Sequence, residues 1–230
     1  MVDIILHGCN GKMGKFVTML AEKDETVPIV AGVDKCIRNM ENYPIFSSLL
    51  ECSVSADVVI DFSDASGTDE LLRACEEKAI PLVLCTTGLS TMQQENIEKF
   101  AKKFPVLQSA NMSIGITILL GFLKKLGKEL FPKGYDVEII EKHHRYKKDV
   151  PSGTAIALKE ALGEESIPIL SVRSGTIVGE HKVEFAGEDE VIEIKHTAYS
   201  KTIFAKGALE AAKFLAGQEA GLYTMENVFL

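Results

Sequence analysis

The chain's 230 residues are 46% hydrophobic and 25% charged, with a formal net charge of −8. That is enough apolar content for a buried core in one large or two modest domains, so disorder is not the expected state. Charges break every apolar run well short of the roughly 20 residues of a membrane span, and one short basic island in an acidic chain offers nucleic acid no extended stripe, so neither is an expected partner.

The chain opens Met1-Val2-Asp3 without a basic, cleavable leader, which predicts a cytoplasmic protein. Residues 2–7 read as a buried strand, 12–23 as a helix and 27–33 as a second strand, a βαβ unit of the usual size. At its first turn lie Gly8, Cys9, Asn10, Gly11, Lys12, Met13 and Gly14. Missing side chains there let backbone N–H groups approach a pyrophosphate at the helix start. The fingerprint is imperfect: when Gly11 and Gly14 take its last two glycine places, Cys9 stands in the first. Asp34 closes the second strand twenty residues after Gly14, where a carboxylate accepts from ribose hydroxyls, and Lys35 beside it suits a 2′-phosphate. Together they point to NADH and NADPH alike.

Strand 57–61, helix 67–78, strand 81–85, helix 91–103 and strand 106–109 continue the alternation, which predicts a doubly wound parallel sheet of Rossmann type. Cys85, Thr86 and Thr87, and then Ser109, Ala110, Asn111 and Met112, fall at the carboxyl ends of two of its strands, where ligands of open α/β sheets collect. After Asn111 the pattern changes. A long helix with Ile116, Leu119, Leu120, Leu123, Leu126 and Leu130 on one face precedes a strand at 136–142 and a short helix at 154–162. Three β-rich stretches, 169–173, 177–185 and 190–199, then follow without helices between them, and 204–216 is helical again. The expected domains are therefore a dinucleotide-binding one, 1–112 with 204–230 returning to it, and a second α+β one, 113–203, built on an open mixed sheet. So open a sheet in so small a domain predicts a homo-oligomer.

The most informative segment runs from Glu138 to Ala155. Six basic or imidazole side chains stand between Lys142 and Lys148, at the end of a strand and ahead of Pro151-Ser152-Gly153-Thr154. Ser152 is a good N-cap, and Gly153 and Thr154 present their backbone N–H groups at the positive end of a helix dipole, an arrangement that holds a small anion. His143 and Lys147 are suited to deliver a proton there. Adjacent His143 and His144 point to opposite sides of an extended chain, and the cations around them repel a metal ion, so no metal is expected. His7, His181 and His196 have no such context and are assigned structural roles. The cysteines Cys9, Cys36, Cys52, Cys75 and Cys85 form no C-x-x-C pair and are expected as free thiols, Cys9 and Cys85 as small core residues.

With these motifs the chain resembles, over nearly its whole length, the 4-hydroxy-tetrahydrodipicolinate (dihydrodipicolinate) reductase family of lysine and diaminopimelate biosynthesis. The resemblance rests on Gly8-x-x-Gly11-x-Met13-Gly14, Asp34, Thr86-Thr87-Gly88, Ala110-Asn111-x-Ser113-x-Gly115 and, above all, Glu138-Ile-Ile-Glu141-x-His143-His144-Arg145-x-Lys147-x-Asp149-x-Pro151-Ser152-Gly153-Thr154-Ala155. It implies an NAD(P)H-dependent oxidoreductase, a homotetramer, with His143 as acid/base residue, Lys147 as proton donor, and His144, Ser152, Gly153 and Thr154 binding a small dicarboxylate substrate, His144 with Gly153 and Thr154 on its carboxylates. The nucleotide is implied on Gly8 to Met13, Asp34, Lys35, Cys85 to Thr87 and Ser109 to Met112. Val150 departs from the family's usual Ala, and 162–173 is shorter than in longer members. Two other functions remain open on the residues alone: a different two-domain nicotinamide oxidoreductase acting on a small anion, and a non-catalytic NAD-binding sensor.

Overall fold

Apolar residues on both sides of each strand force helices onto both faces of the first sheet. In the computed structural model, which describes residues 1–37 and 42–230, the chain forms two compact units, Met1–Ser113 with Thr202–Phe229, and Ile114–Lys201 with Leu230. The first begins with β1 (Ile4–His7), α1 (Lys12–Ala21), β2 (Ile29–Val33), β3 (Ile45–Phe46), β4 (Val58–Asp61), α2 (Thr68–Lys78), β5 (Leu82–Leu84), α3 (Thr91–Ala101) and β6 (Pro105–Gln108). The second comprises α4 (Ile114–Leu130), β7 (Asp136–His143), α5 (Gly153–Leu162), β8 (Ile169–Arg173), β9 (Gly179–Ala186) and β10 (Val191–Ala198). The chain then completes the first unit with α6 (Thr202–Leu215), β11 (Gly221–Tyr223) and α7 (Met225–Phe229).

The first sheet is wholly parallel, in the order β11-β6-β5-β4-β1-β2-β3. Its order reverses between β1 and β4, so the crevice for a ligand opens above the carboxyl ends of those two strands. Ile4, Leu6, Val58, Ile60, Val83 and Leu107 pack on one face with residues of α1 and α6. Ile5, Ala31, Val59, Leu82, Leu84 and Val106 pack on the other with residues of α2 and α3. The expected doubly wound architecture is present. The two-residue β3, the three-residue β11 and the five-residue α7 had no counterpart in the sequence reading.

The second sheet is mixed, in the order β10-β9-β7-β8, with β7 and β8 parallel and the other pairs antiparallel. Period-two alternation puts Val137, Ile139, Glu141 and His143 of β7 on its buried face. The register stacks them into rows: Ile139 lies between Ile169 and Val183, Glu141 between Ser171 and His181, His143 beside Arg173. That face is therefore apolar for its first two rows, where Leu119, Leu123, Leu158 and Phe185 join the core, and polar for the last two. The change of character, at the carboxyl end of β7, marks the candidate site.

Candidate active site

In the first unit, the Gly-rich turn is held from within. Gly8 and Cys9 donate their N–H groups to the Val33 carbonyl at 2.8 and 3.4 Å, Asn10 N–H goes to Asp34 Oδ2 at 3.0 Å, and Gly11 N–H to the Gly8 carbonyl at 3.1 Å. The donors expected on residues 8–11 are thus engaged in shaping the turn. Those left for an anion belong to the first turn of α1, Lys12, Met13 and Gly14, whose N-cap is Gly11 and supplies no side chain. Gly8 has φ +79°, and a Cβ there would meet the Phe62 carbonyl oxygen at 2.8 Å. A Cβ on Gly14 would lie 2.4 Å from the carbonyl oxygens of both Gly8 and Cys9, so the helix starts this close to the turn only because residue 14 is glycine. Cys9 itself is fully buried in the core, and only its backbone faces the turn.

Asp34 ties β2 to this turn, its other oxygen accepting from Cys36 N–H at 3.0 Å. It lines a cavity of about 240 Å³ with His7, Gly8, Gly11, Lys35 and Phe62. Lys35 lies 3.6 Å from Asp64 across exposed surface, a neighbour the sequence reading had not weighed. The glycine cradle, the uncapped start of α1 and the acceptor at the end of β2 suit a dinucleotide: pyrophosphate on the helix, ribose on Asp34.

At the switch point Asp61 is wholly buried. It accepts from Thr86 Oγ1 at 2.6 Å and Ser63 N–H at 3.1 Å, and pairs with His7 Nδ1 at 2.6 Å. The Thr86 hydroxyl therefore points inward, and Cys85, whose thiol burial and then Asp61 push well up, is a core residue without nucleophilic character. Thr87 is exposed beside them. Ser109 to Met112 form a self-bonded loop after β6: Asn111 N–H donates to Ser109 Oγ at 3.3 Å, Ser109 Oγ to the Asn111 carbonyl at 2.9 Å, and Met112 is buried.

In the second unit, β7 ends in a buried polar constellation. His143 Nδ1 meets Glu141 Oε2 at 2.5 Å, and Arg173 spans both oxygens of Glu141 at 2.9 and 2.7 Å. Ser152 N–H donates to Glu141 Oε1 at 3.2 Å. Burial opposes ionisation of Glu141, but its polar neighbours, Arg173 first, then Ser171 and His143, outweigh it and hold the carboxyl down at about 2. Burial lowers His143 while Glu141 opposes it and Lys147 and Arg173 add to the lowering. The His181 ring stands edge-on to His143, centroids 5.2 Å apart, with Nε2 3.1 Å from Ser152 Oγ. Burial and then the charge of His143 push it down to about 4.

Ser152 caps α5 as expected, its Oγ accepting from Ala155 N–H at 3.3 Å. Being 1% exposed, with its N–H on Glu141 and its Oγ on Ala155 N–H and beside His181, it supports the helix start; Gly153 and Thr154 form the first turn. The basic cluster also divides. Lys142 lies on the opposite sheet face, 2.9 Å from Glu180, and Lys147 stands 2.8 Å from Asp149. His144 follows the strand, its Nδ1 enclosed and without a partner. Among the described residues no group of His, Cys, Asp and Glu is placed to hold a metal ion, and no helix is long and apolar enough to cross a membrane.

The family model for the dihydrodipicolinate reductase N-terminus matches residues 2–112 and that for its C-terminus residues 115–229. The chain belongs to the dihydrodipicolinate reductase family. A 4-hydroxy-tetrahydrodipicolinate reductase of Clostridium novyi (strain NT) is 45% identical over 99% of this chain and 98% of its own. One from Caldanaerobacter subterraneus subsp. tengcongensis is also 45% identical over the same shares. The first alignment runs over 248 positions against a chain of 230, so the relative carries residues that this chain lacks. Among solved structures, the dipicolinate-bound dihydrodipicolinate reductase of Paenisporosarcina sp. TG-14 superposes with a TM-score of 0.86 at 23% identity, over 99% of both chains, a likeness of fold.

In the sequence Glu141 figures only as a motif position, Arg173 and Asp61 have no assigned role, and His181 and His7 are assigned structural ones; the fold brings Glu141, Arg173 and His181 together at one site and His7 with Asp61 at the other. Glu141 had a local signal: it shares the buried face of β7 with His143, two residues on, and a carboxylate at a core position implies a partner. Arg173, His181 and Asp61 reach their partners only through strand pairing, for which no local pattern speaks.

Proposed function

We propose that this chain catalyses the NAD(P)H-dependent reduction of 4-hydroxy-tetrahydrodipicolinate to tetrahydrodipicolinate in lysine and diaminopimelate biosynthesis. The observation that carries it is the end of β7, where His143 is fixed by Glu141 beside the capped start of α5, in a chain that matches both halves of the reductase family. Reduced nicotinamide, when bound, supplies the hydride. The protein's own part is to hold the nucleotide, hold the acidic ring and provide the proton.

For the nucleotide, the first turn of α1 receives the pyrophosphate, Asp34 the ribose, and Lys35, Cys85 to Thr87 and Ser109 to Met112 border the rest, with Gly8 to Gly11 shaping the turn. For the substrate, His144 and the amides of Gly153 and Thr154 take the carboxylates. Lys147 delivers the proton that balances the negative charge built up by hydride arrival, and His143 is the acid/base residue, taking up and passing on a proton at Nε2. We place the enzyme in the cytoplasm as a homotetramer. The outer face of the second sheet, with exposed Leu170, Val172 and Val191 among ion pairs such as Lys182 to Glu193 at 2.8 Å, supports association.

The test is a coupled assay in which a separate synthase condenses aspartate semialdehyde with pyruvate while NADH and NADPH consumption are followed in parallel. Oxidation that requires the synthase is expected. No oxidation of either cofactor would leave the sensor reading, and oxidation with other small anions only would leave the other oxidoreductase. Lys147→Ala should lower kcat by about two to four orders of magnitude; near-normal turnover removes Lys147 from the proton step.

A further inference from the structure

We propose that Glu141 is a positioning residue: it holds neutral His143 as the tautomer with its proton on Nδ1, leaving Nε2 as the working nitrogen, and with the same carboxylate locks the start of α5. This rests on the role given to His143 above. Nothing in the family comparison assigns a task to Glu141.

A carboxylate of 0% exposure at the end of an apolar row is costly unless its acceptor sites are filled. Here four donors fill them: Arg173 Nη2 and Ser152 N–H on Oε1, Arg173 Nη1 and His143 Nδ1 on Oε2. An ionised carboxylate only accepts, so the shared hydrogen at 2.5 Å belongs to His143 Nδ1. Neutral imidazole has one N–H, and Nε2 is left as an acceptor. That nitrogen points past Gly179, where a Cβ would stand 3.2 Å from it, so the absent side chain keeps the approach open. Arg173 satisfies the remaining charge of Glu141 and also donates to the Asp149 carbonyl at 2.6 Å, so it braces the loop that carries Lys147. One buried carboxylate thus sets the ring of His143, the first turn of α5 and, through Arg173, the chain next to Lys147.

The charged and titratable groups facing His143 are Glu141 on its own strand, Arg173 from β8, His181 from β9 with His196 beyond it on β10, and Lys147 with its partner Asp149 from the following loop. Glu141 is the one anion in direct contact with His143 among the described residues. Removing its charge in Glu141→Gln leaves Arg173 and Lys147 facing His143, and the ring should give up its proton more readily. A merely loosened site would expose the ring and move its titration upward instead.

The experiment is NMR of the histidine ring nitrogens in the whole protein. In the wild type, neutral His143 is expected with the proton on Nδ1. In Glu141→Gln its titration midpoint should fall by about one unit, a tenfold weaker proton affinity, and the limb of kcat/KM that follows His143 should move to lower pH with it. A neutral ring protonated on Nε2 overturns the proposal, as does a midpoint that stays or rises in a folded Glu141→Gln. Should that variant not fold, the wild-type tautomer alone decides. The reversed tautomer in an active reductase sinks this inference only; the expected tautomer in a protein that oxidises no cofactor sinks the proposed function only.

Discussion

His181 and Glu141 face each other across β9 and β7, and both have ionisation tied to the folded state. Burial holds His181 down at about 4 against an ordinary 6.5, so below pH 6.5 the unfolded chain takes up a proton that the folded one refuses. Its contribution is present above pH 6.5 and is lost as pH falls through 4, a loss on the order of 3 kcal/mol. Glu141, held at about 2 against 4.5, adds stability above pH 4.5 that disappears as pH falls through 2. Denaturant titrations across pH should show both declines, and His181→Phe should flatten the first; an unchanged upper window in that variant would show the assignment to be wrong. At this scale the helix cap was legible, because Pro151-Ser152-Gly153 announces a helix start locally. The role of His181 was not: its contact with Ser152 spans a strand pairing, and an isolated histidine in an alternating run looks like any core residue.

Among elements, two glycines set how closely helices approach the loops proposed to border the nucleotide. Besides Gly14 on the opening turn, Gly207 in α6 lies so near the Ser109 to Met112 loop that a Cβ would sit 1.7 Å from the Met112 carbonyl oxygen. Each to Ala forces backbone apart, and we expect losses of about 1–3 kcal/mol by chemical denaturation with a raised KM for NADH. A variant of either that keeps wild-type stability and KM would mean that the neighbouring loop yields freely. Apart from the five-residue α7, helices and strands of four or more residues followed the apolar periods, and so did the division into a wholly parallel and a mixed sheet. β3 and β11 are too short for a period to register; β11 gains its place by pairing with β6. The Gly-rich turn was located correctly, yet its donors were misassigned, since the Val33 carbonyl and the Asp34 carboxylate that engage them come from a strand distant in the chain.

For the molecule as a whole, chain order and spatial order part company. The family's two halves divide at about residue 113, whereas the compact first unit reclaims Thr202–Phe229. The physical reason is α6, whose Ala205, Ala208, Ala211, Ala212 and Leu215 fill one face of the first sheet, so the nucleotide unit is complete only when the chain returns. On the proposed function each unit has one chemical task, the first to carry a hydride donor and the second to grip and protonate an acidic ring. The most direct measurement is the mass of the tetrahydrodipicolinate formed from cofactor deuterated at the transferable C4 position in ordinary water. One deuterium per product molecule is the predicted result; product formed without label, or label lost to solvent, would contradict direct transfer from nicotinamide to ring.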